Sequence, residues 1–299
     1  MVLSEDGGAQ LLAAPPALAD AVLPAAVLSG ESLFVLGAEC TSVRSLEGDY
    51  PDCERGEALF AAYDLARKTW ALLPPPEGFA LLEGDPLPVG PGPNDSVSFL
   101  DRHTGVVHTY SPRTAQWSEQ VLPGGGRACA TGSTLVSFDP GAGSEKAVSV
   151  SSFVGGEPTA VELPDEPMRN PVGPKLFCGS DLFALYQPPY LGNGPRVEAR
   201  MWVGQADGSS LVEVPLPKPG DATVSDTVFL LGERIVVTRP LSSDESPVAE
   251  VWVGSARGED WQRRGAVPDG TLTPVGSGFV VSVPSEADGV ALPVRLDLD

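Results

Sequence analysis

Positive charge is scarce in this chain. Lys and Arg together number 19 against 40 Asp and Glu, a formal net charge of −21 over 299 residues. Nucleic acid and anionic membranes are therefore excluded as partners, because a phosphate surface is bound by neutralising it with basic side chains. Cationic and neutral partners stay open. Only Lys68, Lys146, Lys175 and Lys218 are lysines, an arginine bias that points to a GC-rich bacterial genome. Histidine is limited to His103 and His108, and the four cysteines, Cys40, Cys53, Cys129 and Cys178, show no Cys-x-x-Cys spacing. A zinc site is not expected from such a set, nor any other metal or cofactor. The acidic run 242–246 lacks the Asp-x-Asp-x-Asp-Gly spacing of a calcium loop and reads as a solvated loop. No apolar run approaches the roughly 18 residues of a membrane helix. The opening MVLSEDGGAQ is acidic and does not read as a signal peptide. On this reading the protein is cytoplasmic, or secreted or periplasmic with a leader removed. The second alternative is favoured if Cys40 and Cys53, which bracket one polar loop, form a disulfide.

What is present is enough for a core: 42% apolar residues, with Gly at 34 and Pro at 31 punctuating them. Two signals repeat. One is a polar turn followed by a β-rich run: SGESLFVLG (29–37), PNDSVSFLD (93–101), TGSTLVSFD (131–139), CGSDLFALY (178–186), LGERIVVTR (231–239) and GSGFVVSVP (276–284). The other is an apolar run, a tight turn and a run ending near Pro, at 58–75, 106–123, 147–164, 199–217 and 248–268. The sixth copy is split between the C-terminus (290–299) and the N-terminus (9–16). Each unit has four strands and a period of about 50 residues, the signature of propeller blades. The expected fold is all-β: a six-bladed β-propeller of four-stranded antiparallel blades, one domain over 1–299. The ring is closed by the N-terminal strand (9–16) pairing with the C-terminal strand (290–299), which leaves no cut edge. Residues 57–73 contain good helix formers, but the equivalent copies carry Val, Ser, Thr and Gly, so strands are expected there too. Cys129 and Cys178 fall on first strands of adjacent blades, which commonly stand further apart than the roughly 7 Å a disulfide spans, and are expected to be buried free thiols.

Two units carry a finer pattern. Tyr63-Asp64 precedes Trp70 and then Leu73-Pro74-Pro75; Tyr110-Ser111 precedes Trp117 at the same spacing and then Leu122-Pro123. The pattern resembles the kelch repeat of galactose-oxidase-like propellers in a degenerate form, with Gly37 alone left of the kelch glycine pair. Trp252 and Trp261 give a looser copy, and GSARGEDW also resembles the Asp-box turn of sialidase-like propellers. The resemblance implies that Tyr63, Trp70, Tyr110, Trp117 and Trp261 are core aromatics filling the gap between blades. It does not carry over an active site. Galactose oxidase's copper set of two His and two Tyr has no counterpart around His103 and His108, and the sialidase Arg-Ile-Pro sequence is absent.

In a propeller, loops after the second and fourth strands share one face. The long insertions, 38–56, 77–87, 165–174, 187–196 and 240–247, all fall on that face, while the opposite turns are tight. Long loops gathered on one face point to function. The loop YQPPYLGNGPR (186–196) is the leading contact candidate: Tyr186 and Tyr190 offer rigid amphipathic area and Arg196 a charge. Arg239, at the end of the next blade's second strand, is placed to join it, and Arg127 is expected near the channel mouth. The expected function is a non-enzymatic binding propeller for a protein or glycan partner. The alternative is an enzyme, a hydrolase or a lyase or cyclase, with a small-molecule pocket at the mouth of the central channel.

Overall fold

Each recurring turn closes an antiparallel hairpin, and the hairpins add up in fours. The computed structural model describes residues 2–3, 9–10, 18, 21–44, 52–79, 87–101, 103–122, 127–132, 134–139, 148–152, 159–161, 174–190, 197–241, 248–268, 271–275, 278–283 and 292–297. The chain opens with β1 (Val2–Leu3) and β2 (Ala9–Gln10), paired with each other. The first four-stranded sheet is β3 (Ala21–Ser29), β4 (Ser32–Arg44), β5 (Asp52–Asp64) and β6 (Thr69–Leu73). The second is β7 (Leu87–Pro91), β8 (Val97–Asp101), β9 (Val106–Ser111) and β10 (Gln116–Val121). The third is β11 (Arg127–Thr131), β12 (Thr134–Phe138), β13 (Val148–Ser152) and β14 (Thr159–Val161). The fourth is β15 (Lys175–Cys178), β16 (Leu182–Gln187), β17 (Arg200–Gln205) and β18 (Leu211–Val214). The fifth is β19 (Thr227–Leu231), β20 (Arg234–Leu241), β21 (Val248–Ser255) and β22 (Gln262–Pro268). Three strands follow: β23 (Thr271–Val275), β24 (Gly278–Val283) and β25 (Leu292–Asp297).

All pairs are antiparallel and follow sequence order within each sheet. Five sheets therefore hold four strands and the sixth holds three among the described residues. The expected closing pairing is not among the described pairs: of residues 9–16 only Ala9–Gln10 is described, paired with Val2–Leu3. The insertion expected as a loop at 38–56 is largely hairpin instead, with β4 and β5 paired out to Arg44↔Asp52. Residues 57–73 are strands and a tight turn, as the repeat requires.

Contacts divide the chain into two compact units: Ala13–Glu162 with Ala206–Gly208, and Met1–Leu12 with Leu163–Gln205 and Ser209–Asp299. In the former, Phe34, Leu36 and Phe60 of the first sheet pack on Val97, Phe99 and Tyr110 of the second. Val89, Leu100 and Val107 of the second sheet pack on Ala130 and Leu135 of the third. In the latter unit, Leu182, Ala184, Tyr186, Met201 and Val203 of the fourth sheet meet Val228, Leu230, Ile235, Val237 and Trp252 of the fifth.

The aromatic pairs fall where their spacing puts them. A tight turn sets Tyr63 opposite Trp70 and Tyr110 opposite Trp117, with ring centroids 5.1 and 5.2 Å apart. The tryptophans also latch consecutive sheets together. Trp117 Nε1 donates to the Pro74 carbonyl at 2.8 Å, and Trp261 Nε1 donates to the Pro215 carbonyl at 3.0 Å. In both cases the acceptor directly follows, or nearly follows, the fourth strand of the preceding sheet, which gives the recurring Leu-Pro or Val-Pro a second purpose. Gly254 is glycine because a Cβ there would lie 2.8 Å from the Trp261 ring.

Cys129 and Cys178 are each disulfide-bonded, so the expectation of free buried thiols is corrected. Both lie on β11 or β15, the edge strands of their sheets, and are only half buried. An edge strand leaves one lateral side open, so these thiols are not sealed among apolar neighbours. The register sets Cys40 opposite Arg55 and Cys53 opposite Val43; the side chains of Cys40 and Cys53 lie outside the described residues.

Candidate functional site

Lys218 lies in the connector 215–226 between β18 and β19, and its backbone is left-handed (φ 42°, ψ 71°). That region costs a non-glycine residue on the order of 1–3 kcal/mol and persists only where its surroundings enforce it. The enforcement here comes from Arg239. Its Nη1 donates to the Lys218 carbonyl at 3.2 Å and its Nη2 to the Pro217 carbonyl at 3.1 Å. Its Nε donates to Asp226 Oδ2 at 3.0 Å, and the two side chains are 2% and 0% exposed.

Asp226 ties the far end of the connector. Oδ1 accepts from the Thr223 amide at 3.2 Å and the Thr223 hydroxyl at 2.7 Å. Tyr186 Oη donates to the Thr223 carbonyl at 2.9 Å and stands 3.3 Å from Asp226 Oδ2. Lys175 Nζ donates to the Asp226 carbonyl at 3.0 Å. Burial, reinforced by the Asp226 carboxylate, pushes the Tyr186 phenol well above its ordinary value, so it stays a neutral donor. Every polar atom of Asp226 is thus engaged. The group is a clamp: its carboxylate, guanidinium and phenol are turned on one another and on the connector backbone.

What the clamp holds is one wall of a cavity of about 130 Å³. That wall is Pro219, Gly220 and Ala222, part of a 3-10 turn with Lys218 at its start. The facing wall is Pro189, Val197, Glu198 and Ala199, from the loop after β16. Tyr190 and Val197 exchange backbone hydrogen bonds at 3.0 and 3.2 Å, which pins the base of that loop. The two segments follow the second and the fourth strand of the fourth sheet and line one cavity.

The sequence-derived site residues fare differently. Tyr186 and Arg239 both reach the Asp226 carboxylate, and both are buried. The reason is that both strands are covered on both faces: every residue of Leu182–Gln187 and every residue from Ile235 to Arg239 is buried, and Tyr186 shares a core with Leu182, Ala184, Ile235 and Val237. Tyr190 is half exposed beside the cavity-lining Pro189. Arg196 lies outside the described residues. Arg127 is exposed at the start of β11, in the other compact unit, and does not line the cavity. Asp226, Thr223, Glu198 and the connector escaped the sequence reading. The Thr-x-x-Asp spacing at 223–226 was their one local signal.

The remaining buried titratable side chain of note is His108 on β9. Its Nδ1 has no hydrogen-bond partner among the described residues and stands 3.4 Å from Glu119 Oε1, and its ring packs on Phe79 at 4.8 Å. Burial lowers its pKa, against the opposing pull of Glu119 and Asp101. The folded state therefore holds His108 neutral where the unfolded chain, with a pKa near ~6.5, takes up a proton. This contribution to stability is present above that value and is lost as pH falls from it toward the lower folded-state pKa. His108→Phe keeps the ring packing and removes the titration. Its melting temperature relative to the parent is expected to rise between pH 7.5 and pH 5.5; parallel profiles would sink this account.

No family model matches the chain, and no curated protein matches it. Among solved structures it is similar to an oligogalacturonate lyase in complex with manganese, at 13% identity over 89% of this chain and 71% of that one, TM-score 0.51. It is similar to YCF48 bound to D1 peptide, at 11% identity over 94% and 79%, TM-score 0.48. It is also similar to the GH74 xyloglucanase from Xanthomonas campestris, at 12% identity over 87% and 43%, TM-score 0.49; the chain spans less than half the length of that enzyme. At such identities the likeness speaks for the fold alone, which is that of a β-propeller built of four-stranded antiparallel sheets.

Proposed function

We propose that the chain is a single propeller domain that binds a protein partner, without catalysing a reaction, through the loops after the second and fourth strands of its sheets. The contact point is the cavity between Pro189, Val197–Ala199 and the 219–222 turn. The observation that carries this reading is the cavity's size together with its lining. At about 130 Å³ it falls well under the ~300 Å³ at which pockets for whole small molecules begin, and a single side chain of a partner fills it. Its walls are Pro, Val, Ala and Gly with one carboxylate, Glu198. The nearby groups that would suit an enzyme, Asp226, Arg239 and Tyr186, are buried and spent on one another. They rigidify the rim, and a pre-formed rim lowers the ordering cost of binding.

Selection from a random peptide phage library on the immobilised protein tests this. Peptides are expected to enrich on the parent and to lose binding to Gly220→Trp. Gly220 lines the cavity and a Cβ there meets nothing within 4 Å, so the substitution places bulk at the cavity wall without a backbone clash at Cβ; an unchanged melting temperature checks the fold. Enrichment that is identical on both proteins, or binding to a glycan array in place of peptides, would overturn the reading.

A further inference from the structure

We propose that the cavity takes a lysine or arginine side chain of a polypeptide partner, the aliphatic stem against its proline and alanine walls and the cationic head on Glu198. The inference rests on the protein-binding reading above and names the chemistry of the bound side chain.

The argument is one of unspent charge. Among the described residues Glu198 is the one ionisable side chain lining the cavity; it is exposed and has no hydrogen bond or ion pair to another described residue. Asp221, between the lining residues Gly220 and Ala222, is likewise exposed and unpaired among the described residues. The described cations on the same elements are committed elsewhere. Arg200 forks onto Glu213 at 2.8 and 2.5 Å. Lys218 lies over the Trp252 ring, 5.1 Å from its centroid. Arg239 and Lys175 are spent on the clamp. Two carboxylates thus flank an apolar slot with no described counter-charge of their own.

A slot that is apolar along its walls and anionic at its mouth matches the two-part character of Lys and Arg, which bury their methylenes and keep the head in water. An acidic side chain is repelled, and a purely apolar one leaves the carboxylate unanswered. The chain's net charge of −21 adds a field that draws basic segments in, and salt screens it.

The probe is a set of fluorescein-labelled hexapeptide mixtures, random except for one central position fixed as Lys, Arg, Leu, Gln or Glu, read by fluorescence anisotropy on the full chain. Lys and Arg mixtures are expected to bind up to about fivefold more tightly than Leu or Gln, the Glu mixture least. Raising salt narrows that gap. Glu198→Gln is expected to erase the preference while thermal melting is unchanged, and Glu198→Arg to reverse it toward the Glu mixture. If Leu binds as well as Lys on the parent, the cationic inference fails while the protein-binding reading stands. If no mixture binds and Gly220→Trp behaves as the parent does, both fail. If lysine amide alone competes as strongly as the peptides, the ligand is a free amine and the polypeptide assignment is overturned.

Discussion

Arg239→Met is expected to lower the folding free energy by about 3–5 kcal/mol, read as a fall in the urea midpoint with an unchanged slope. Against a typical total of about 5–15 kcal/mol, that is a large share for one buried arginine. The cost has three sources. Asp226, fully buried, loses its counter-charge and keeps its desolvation penalty. The carbonyls of Pro217 and Lys218 lose their donors. The left-handed backbone at Lys218 loses what enforces it. Arg239→Lys keeps the charge but not the three-way fork, since an ammonium cannot hold Nε, Nη1 and Nη2 positions at once, so an intermediate loss is expected. Replacing both partners, as Arg239→Met with Asp226→Leu, is expected to recover part of the loss, because no charge is then left buried alone. A single Arg239→Met loss under about 1 kcal/mol would mean that the pair is not closed in solution. The same variants should weaken peptide binding, since the 219–222 rim hangs from the clamp, although none of them lines the cavity.

Much of the fold was legible because it is local. A polar turn followed by a β-branched run needs only a few residues to declare itself, and five such units fold as four-stranded sheets. The Tyr–Trp spacing was legible for a related reason: a tight turn of fixed length fixes the register, and the register fixes which rings meet. The site was legible only as a neighbourhood. Tyr186 and Arg239 were singled out as surface groups from residue type, yet the strands LFALYQ and RIVVTR carry them inside, buried from Leu182 to Gln187 and from Ile235 to Arg239. A strand covered on both faces outweighs the preference of arginine for water when a buried carboxylate is waiting. The waiting carboxylate was not legible, because Asp226 belongs to a different connector. Nor was the cavity, whose walls lie some twenty residues apart in sequence and meet only when two sheets stack. The cysteines were misjudged because first strands of adjacent units were taken to stand too far apart for a disulfide, yet Cys129 and Cys178 are both disulfide-bonded.

Phe60→Ala is expected to cost about 3–5 kcal/mol, comparable to the loss of Arg239 but by an unrelated route. Phe60 is 1% exposed at the junction of the first two sheets. Its ring centroid lies 6.0 Å from Phe34, 6.0 Å from Phe99, 5.0 Å from Tyr110 and 4.8 Å from Trp117. No other ring in the cluster touches so many partners, so removing it opens a void that the remaining rings cannot close without breaking their own contacts. Trp117 is the informative neighbour. Its indole donates to the Pro74 carbonyl and so latches the second sheet to the first. Losing Phe60 frees one face of that indole, and the latch should loosen with it. Phe60→Leu, which keeps most of the volume, is expected to cost less than half as much. Tryptophan fluorescence gives the separate readout: the Phe60→Ala emission should shift to the red as Trp117 gains water, and Trp117→Phe in the same background should abolish that shift. A Phe60→Ala protein as stable as its parent would mean that the two sheets do not pack through these rings, and that the aromatic spacing reflects register alone.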